Sequence, residues 1–198
     1  MTLEGFPQQV TLRDGRDIII RPLEAVDGAD LVEFYSGLPE EEREYLRDDV
    51  TKSDWIERFL RKVDFVEVVS LVAQHGSRLV GEGTLYRSSH GWMRHVGELR
   101  VSVAESFRRQ GVGAAMARAL VKTGIGMGVE KLLVQMVDKQ PGVRRTFEKL
   151  GFVLEATLRN HVKDLHGHKR DMLVLSNDVS HIWQAMETMV ADYHPDAE

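Results

Sequence analysis

The chain has 198 residues, of which 42% are hydrophobic and 29% are charged, and this composition is typical of a globular protein with one substantial core. Its formal net charge of -5 argues against a general affinity for nucleic acid or for an anionic membrane. Because the chain contains no cysteine, a disulfide framework, a thiolate metal site and a cysteine nucleophile are excluded.

No linker rich in proline or serine divides the chain, so we expect a single domain over residues 1–198. Met1–Val10 lacks the charged start and the apolar run of a secretion signal, and no apolar stretch reaches the length of a membrane span. We therefore expect a cytoplasmic protein that associates with neither membrane nor nucleic acid.

The N-terminal half is predicted to contain two β-hairpins with helices between them. Asp14-Gly15 lies between two short apolar runs, which is a hairpin signal, and His75–Arg78 forms the turn of a second hairpin. Between the hairpins, Pro39 begins an acidic helix that extends to Leu46. The glutamates of this helix form either a solvated face that complements the helix dipole or a docking surface for a cationic amine.

The stretch Leu99–Gly126 changes from strand to helix around a basic turn. Leu99, Val101 and Val103 alternate with polar residues as in a half-buried strand, and apolar residues at helical spacing follow the turn. A helix that begins at a glycine-rich turn leaves its first N–H groups unpaired, and such a helix end binds anions, above all phosphates. The turn is therefore a candidate phosphate site.

The rest of the chain predicts a parallel strand pair and a terminal hairpin. Lys131–Val137 is a nearly continuous apolar strand, and a strand-helix-strand unit of this length implies that it runs parallel to the strand ending at Val103. Pro141 begins another helix and Gly151 ends it. A hairpin with its turn at residues 164–167 follows, and a last helix is predicted over residues 178–193.

Spacing separates three interpretations of the basic turn. A P-loop requires Gly-x-x-x-x-Gly-Lys-Ser/Thr, which this turn lacks, and a dinucleotide-binding turn requires a small residue at the position of Met116. What remains is Arg108-x-x-Gly111-x-Gly113 after a Val-x-Val strand, and this pattern resembles the acyl-CoA pyrophosphate loop of the GNAT acyltransferase superfamily. The alternative is an ordinary strand-to-helix connection in which the glycines only make the turn tight.

The resemblance extends over residues 17–177. Glu148–Phe152 is a second family-like motif. Three further segments are most similar to the catalytic domain of bacterial protein lysine acetyltransferases, namely Leu12–Gly15, Ile20–Pro22 and Gly97–Val103. The implied fold is α/β, with a mixed, mostly antiparallel central sheet that contains a splayed parallel strand pair and is flanked by helices.

The resemblance also implies where acetyl-CoA, the acyl donor, binds. The backbone of Val101–Val103 would lie against the pantetheine arm, in the gap where this strand splays from Lys131–Val137, and the backbone N–H groups of Arg109–Ala114 would hold the pyrophosphate. The full set of residues expected at the acetyl-CoA site is Val101, Ser102, Val103, Arg108, Arg109, Gln110, Gly111, Val112, Gly113, Ala114 and Phe147.

The chemistry requires a base near the thioester. A primary amine with a pKa of about 10.4 is mostly protonated at neutral pH and must lose a proton before it attacks. The resemblance implies that Glu98 serves as the general base, and Glu82 on the preceding strand is the rival. The alternative for Glu98 is a surface ion pair with Arg100, two residues along the same face.

Two departures from the family pattern concern the helix that begins at Pro141. Many family members carry a tyrosine that protonates the departing CoA thiolate where this chain has Phe147, and an asparagine near the position of Gln140. Since a thiol with a pKa of about 8.5 is already a tolerable leaving group, the missing acid need not abolish the reaction. Both changes fit the lysine acetyltransferase branch better than the small-molecule branches.

The sequence therefore predicts an N-acetyltransferase that moves an acetyl group from acetyl-CoA to a primary amine, with a protein lysine or N-terminus favoured as the acceptor. The alternatives are a catalytically weak acyl-CoA-binding or protein-interaction module, and an acetyltransferase for a small-molecule amine. No metal is expected, because His161, His166 and His168 are interpreted as solvated loop residues. The sequence does not decide between a monomer and a dimer.

Overall fold

The computed structural model, which describes residues 3–43, 46, 50, 52–164 and 166–179, is built around an eight-stranded sheet. In chain order its strands are β1 (Gln8–Thr11), β2 (Asp17–Pro22), β3 (Val68–His75), β4 (Arg78–Arg87), β5 (Val96–Val103), β6 (Lys131–Val137), β7 (Val153–Lys163) and β8 (Lys169–Asp178). Across the sheet the order is β1-β2-β3-β4-β5-β6-β8-β7. Neighbouring strands are antiparallel except β5 and β6, which are parallel. The predicted mixed sheet with one parallel pair is confirmed.

Helices cover both faces of this sheet. The described residues form α1 (Gly28–Ser36), α2 (Glu40–Arg43), α3 (Ser53–Lys62), α4 (Val112–Gly126) and α5 (Pro141–Glu148). The helices α1 and α3 pack on one face, in a core that includes Leu31, Phe34 and Ile56. The helices α4 and α5 contribute Met116 and Phe147 to the larger core on the other face. None of the helices formed by these described residues is long and apolar enough to cross a membrane.

Glycines on β4 allow α4 to approach the sheet closely. A Cβ on Gly81 would lie 2.7 Å from the Sδ of Met116, and a Cβ on Gly83 would lie 2.9 Å from the Cδ1 of Leu120. These distances are shorter than real Cβ contacts, so a side chain at either position would push the helix away. The small residues that permit close contact between helix and sheet are therefore Gly81 and Gly83 on β4. The helix α4 itself has the large Met116 at this contact.

The parallel pair splays apart, as expected for the predicted fold. Residues 96–99 of β5 pair with residues 131–134 of β6. Beyond the pair Leu99–Val134, β5 continues to Val103 and β6 continues to Val137, but the two strands no longer pair with each other. On its other edge, β6 pairs with β8 along its whole length. Each strand is held by its outer neighbour, β5 by β4 and β6 by β8, so a gap opens between them.

The structure corrects two predicted helices. The acidic helix predicted to extend from Pro39 to Leu46 does not reach Leu46, which lies in a bend, and its described part is Glu40–Arg43. The helix predicted over residues 178–193 cannot begin at Asp178, because this residue is the last of β8 and pairs with Lys131. The remainder of that prediction, from residue 180 onward, lies outside the described residues.

Candidate active site

A cavity of about 1190 Å³ is lined by the splayed end of β5 and by the basic turn. Its lining includes Val101–Val103, the residues around Gly111 and Gly113, and the first turns of α5. The other walls are Leu38 with Glu42 and the turn of the β7–β8 hairpin. The cavity therefore lies between the strand gap, the start of α4, the segment with Leu38 and Glu42, and the β7–β8 turn. The sequence did not predict that the last two segments lie beside the first two.

The turn before α4 presents backbone donors without any side-chain cap. Gly111 occupies the N-cap position with φ 104°, a conformation that favours glycine, and the N–H of Ala115 is bonded to its carbonyl at 2.9 Å. The N–H groups of residues 112–114 precede that bond, so the helix provides no acceptor for them. The non-glycine Arg109 has φ 60°, a strained backbone conformation of the kind that clusters at functional sites.

The first hairpin holds this turn in place, and its Arg13 also lines the cavity. The backbone N–H of Arg13 donates to the carbonyl of Gln110 at 3.1 Å, and its guanidinium donates to the carbonyl of Arg109 at 3.4 Å. In addition, the guanidinium of Arg16 donates to the carbonyl of Ser106 at 2.9 Å. These bonds direct the carbonyl groups of the turn toward the hairpin, which leaves its other side for the cavity.

Positive charge is concentrated at the α4–α5 end of the cavity. Among the described residues, the cations at this end form no ion pair; they are Arg109, Arg118, Lys139, Arg145 and Lys149. At the opposite end the two arginines are neutralised, Arg108 by Glu42 and Arg170 by Asp164. The cavity of this acidic protein thus has a positively charged end and a nearly neutral end.

Most of the predicted acetyl-CoA residues meet in this cavity. Those that line it are Val101, Ser102, Val103, Arg108, Arg109, Gly111, Gly113, Ala114 and Phe147. The side chain of Val112 is instead buried in the core, and Gln110 is held through its carbonyl by Arg13. Neither Glu98 nor Glu82 lines the cavity.

Glu98 lies at the closed end of the strand gap. It pairs with Tyr86 on β4 and with Leu133 on β6, one residue before the parallel pairing stops at Leu99. Its side chain is 20% exposed, and its Oε1 accepts a hydrogen bond from the Nε of Arg100 at 3.0 Å. The ion pair with Arg100, which was the alternative to the base role, is therefore formed, and its carboxylate lies beside the region where the strands diverge.

Glu82 is buried in a network of hydroxyl groups. It is 3% exposed, and its Oε1 accepts hydrogen bonds from the hydroxyls of Ser70, at 2.7 Å, and Thr84. Its Oε2 accepts a hydrogen bond from the hydroxyl of Tyr35 at 2.9 Å. Burial raises the pKa of Glu82, and the hydroxyl donors only partly offset this effect. The rival base pairs with Ser102 on β5, but both oxygens of its carboxylate already accept hydrogen bonds from hydroxyl groups.

Phe147 is a packing residue that also faces the cavity. It is 3% exposed, and its ring packs edge-on against Phe152 with 5.2 Å between the ring centroids. Nearby, Gln140 occupies the N-cap position of α5, and its Oε1 accepts a hydrogen bond from the N–H of Val137 at 3.2 Å. The glutamine therefore ties the end of β6 to the start of α5.

The turn of the β7–β8 hairpin contributes a group that the sequence reasoning missed. Asp164 accepts hydrogen bonds from the N–H groups of His166, at 3.1 Å, and His168, at 2.8 Å, and it pairs with Arg170 at 3.0 Å. Burial opposes ionisation, yet these donors lower the pKa of Asp164. His166 and His168 are exposed, as predicted, but they line the cavity together with Asp164 and Arg170.

The basic residues of α4 and α5 were also missed. Arg118 lies on α4 beyond the predicted glycine turn, Arg145 lies on α5, and Lys149 is the C-cap residue of α5. Only the folded chain brings these three residues to the same cavity. The sequence feature that could have indicated these cations is their position on the polar faces of helices that begin at the candidate site. No group of three or more histidine, aspartate or glutamate side chains within the described part of the chain is placed to hold a metal ion.

A model of the Acetyltransferase (GNAT) family matches residues 29–152, which is more than half of this chain. The matched region includes the splayed strands, the basic turn, α4 and α5. No curated protein matches the chain. The chain belongs to the GNAT acetyltransferase family, and it is an acetyl-CoA-dependent N-acetyltransferase.

Solved structures show the same fold at low sequence identity. The GNAT domain of S. lividans PAT is 20% identical with a TM-score of 0.74, and the match covers 88% of this chain and 98% of that domain. A GNAT acetyltransferase from Streptococcus pneumoniae is also 20% identical, with a TM-score of 0.72 and coverage of 81% and 98%. The putative acetyltransferase yncA from Salmonella typhimurium, whose structure contains acetyl-CoA, is 16% identical, with a TM-score of 0.71 and coverage of 91% and 98%.

Proposed function

We propose that this protein transfers the acetyl group of acetyl-CoA to a primary amine, with a protein lysine or N-terminus as the favoured acceptor and Glu98 as the general base. The observation that carries the proposal is the gap between β5 and β6, which opens beside the uncapped start of α4 in a cavity with one basic end. Residence in the cytoplasm is part of the proposal, since the chain has no cysteine that would indicate an oxidising compartment.

The donor side of the cavity fits the chemistry of CoA. Backbone N–H groups of Arg109–Ala114 are available for the pyrophosphate, and the cations on α4 and α5 supply further charge for phosphate oxygens. A Cβ on Gly113 would meet only the Cγ2 of Val103, at 3.5 Å, so the surface beside this glycine is open. The backbone of Val101–Val103 lies along the gap, and we expect it to contact the pantetheine arm there.

Acetyl-CoA supplies the acetyl thioester that the reaction consumes. In the transfer, a bond forms between the amine nitrogen and the acetyl carbon, the carbon–sulfur bond breaks, and CoA leaves as a thiolate. The nitrogen releases a second proton to solvent as the neutral amide forms. Glu98 takes the proton from the ammonium, directly or through one water, before the amine attacks. Phe147 lines the cavity without a hydroxyl, so it excludes water and gives no proton to the leaving sulfur.

The support for a protein acceptor comes from the similarity to the S. lividans PAT domain and from an acceptor wall formed by Leu38, Glu42 and the β7–β8 turn. We expect lysine-containing peptides to give CoA release and a product heavier by one acetyl group in mass spectrometry. The control is the Glu98→Gln variant, in which turnover falls. Turnover with small polyamines or amino sugars but with none of the peptides would overturn the protein-acceptor proposal.

A further inference from the structure

The guanidinium of Arg108 is held by two groups within the protein. Its Nε and Nη2 donate to the carbonyl oxygen of Val103 at 3.1 and 3.2 Å. Its Nη1 and Nη2 also donate to the two carboxylate oxygens of Glu42, in a bidentate pair. The Arg108 side chain is 28% exposed and the Glu42 side chain is 40% exposed, so the contact is partly shielded from water.

These contacts join parts of the molecule that are distant in sequence. Val103 is the last residue of β5, at the splayed end of the strand, and Arg108 follows it in the basic turn. Glu42 lies in α2, 66 residues before Arg108. Its neighbours Leu38 and Leu46 pack with α1 and α3, on the face of the sheet opposite α4. The Arg108–Glu42 pair therefore connects the end of the strand gap to α2. This helix forms the wall of the cavity that lies away from the basic α4–α5 end.

The same contacts leave the Arg108 side chain little capacity for a phosphate. A guanidinium has about five N–H donors, and four of them are committed to Val103 and Glu42. The neighbouring Arg109 is exposed, and its guanidinium makes no hydrogen bond or ion pair with any residue that the structure describes. Of the two adjacent arginines, Arg109 is the one available to a ligand.

We propose that Arg108 and Glu42 are positioning residues of the acceptor wall, and that the Arg108 side chain does not hold the phosphates of acetyl-CoA. By binding the Val103 carbonyl and Glu42 together, Arg108 sets the distance between the end of β5 and α2, where the amine must enter to reach the thioester. The inference rests on the proposed function, because it assigns the two walls of the cavity to donor and acceptor.

The test compares single variants by two independent readouts. Arg108→Gln and Glu42→Gln should each raise the KM for the best peptide acceptor by about tenfold, the size expected for a lost charge-assisted contact. The Kd for acetyl-CoA, measured by calorimetry, should stay within about threefold of the wild type, a free-energy change below about 0.7 kcal/mol. Arg109→Gln is the matched control, and it should show the reverse pattern, with weaker acetyl-CoA binding and little change in acceptor KM.

Two further variants separate positioning from phosphate binding. Arg108→Lys keeps the charge, which a phosphate contact tolerates, but it loses the fork that binds a carboxylate and a carbonyl together. It should therefore behave like Arg108→Gln. The double variant Glu42→Gln/Arg108→Gln should raise the acceptor KM by less than the product of the two single effects, because both changes remove the Arg108–Glu42 contact. Circular dichroism identifies any variant that fails to fold, and the remaining variants then decide the outcome.

Weaker acetyl-CoA binding in Arg108→Gln, equal to that in Arg109→Gln and restored in Arg108→Lys, would overturn the inference. So would an unchanged acceptor KM in Glu42→Gln. If no amine is turned over, the proposed function fails, and the calorimetric comparison of Arg108→Gln with Arg109→Gln still decides whether the Arg108 side chain holds the donor.

Discussion

The carboxylate of Glu98 and the guanidinium of Arg100 form an ion pair on one face of β5, with 3.0 Å between Oε1 and Nε. The same guanidinium lies over the ring of Tyr86, 4.4 Å from its centroid. Arg100 is thereby fixed on two sides, and it limits the orientations that Glu98 can adopt. Such an ion pair is compatible with the proposed role of Glu98, because a general base must keep its carboxylate oriented toward the amine.

Replacing Glu98 with glutamine should lower kcat at neutral pH by about a hundredfold or more, because a positioned base contributes at least that much. Acetyl-CoA affinity should change little, since the carboxylate acts on the amine. Raising the pH should partly restore the rate, because an amine with a pKa of about 10.4 then loses its proton to solvent. The pH–rate profile of the variant measures this effect.

The matched control for this prediction is Glu82→Gln, since the two carboxylates lie on neighbouring strands and on the same face. Glu82 already accepts hydrogen bonds from Ser70, Thr84 and Tyr35, so its replacement should leave most of the rate. Full activity of Glu98→Gln together with an inactive Glu82→Gln would assign the base to β4 instead.

The buried carboxyl of Glu82 should make the protein less stable as the pH rises. Because burial raises its pKa in the folded protein above the ordinary value of 4.5, the unfolded chain releases this proton first as the pH increases. The free energy of unfolding therefore falls between the ordinary pKa and the folded pKa. Urea titrations from pH 4 to pH 8 should show this decline in the wild type and a smaller one in Glu82→Gln.

An exposed carboxylate, Glu33, provides the control for that experiment, because Glu33→Gln removes a carboxyl without removing a buried one. The free energy of unfolding of Glu33→Gln should change with pH in the same way as that of the wild type. Parallel curves for the wild type and Glu82→Gln would mean that the carboxyl of Glu82 titrates alike in the folded and unfolded states.

Phe147 should matter for packing and not for proton transfer. Phe147→Leu loosens the contact with Phe152 and should lower the melting temperature and the activity together, with a stability loss below the roughly 3–5 kcal/mol typical of Phe→Ala in a core. Phe147→Tyr should be tolerated with little change in kcat. A gain of about a hundredfold, the contribution of a positioned acid, would show instead that the natural protein lacks efficient acid catalysis.

Local sequence patterns predicted the elements that surround the site. The alternation in β5, the glycine turn and the apolar run of β6 each depend on residues a few positions apart, and the observed bounds of α4 and β6 match those patterns. Gly151 lies in the turn that follows α5 and has φ 86°, as its place after the helix indicated. Such features are specified by backbone geometry and side-chain period, which are visible in a single sequence.

Long-range pairing could not be predicted in the same way. Nothing local to Glu42 indicates that Arg108 is its partner, and nothing local to Tyr35 indicates Glu82. Asp27 shows that local and distant partners compete for one polar side chain. It occupies the N-cap position of α1, but its side chain accepts a hydrogen bond from Arg21 at 2.7 Å and does not cap the helix. A polar side chain with several possible partners is assigned only when the fold brings one of them within reach.

The most direct test of the account concerns the backbone donors of the basic turn, measured as acetyl-CoA binding by calorimetry to Gly113→Glu. Gly113 is preferable to Gly111, whose φ of 104° would strain any side chain, whereas a Cβ on Gly113 makes only an ordinary contact with Val103. The matched control is Gly126→Glu, the same change in open space at the other end of α4.

A carboxylate on Gly113 would project toward the pyrophosphate and repel it, so acetyl-CoA affinity should fall by about tenfold or more while circular dichroism stays unchanged. Gly126→Glu should bind acetyl-CoA within about twofold of the wild type, because no ligand contact is expected there. Wild-type affinity in a folded Gly113→Glu variant would contradict the assignment of this turn to the pyrophosphate, and with it the proposed donor site.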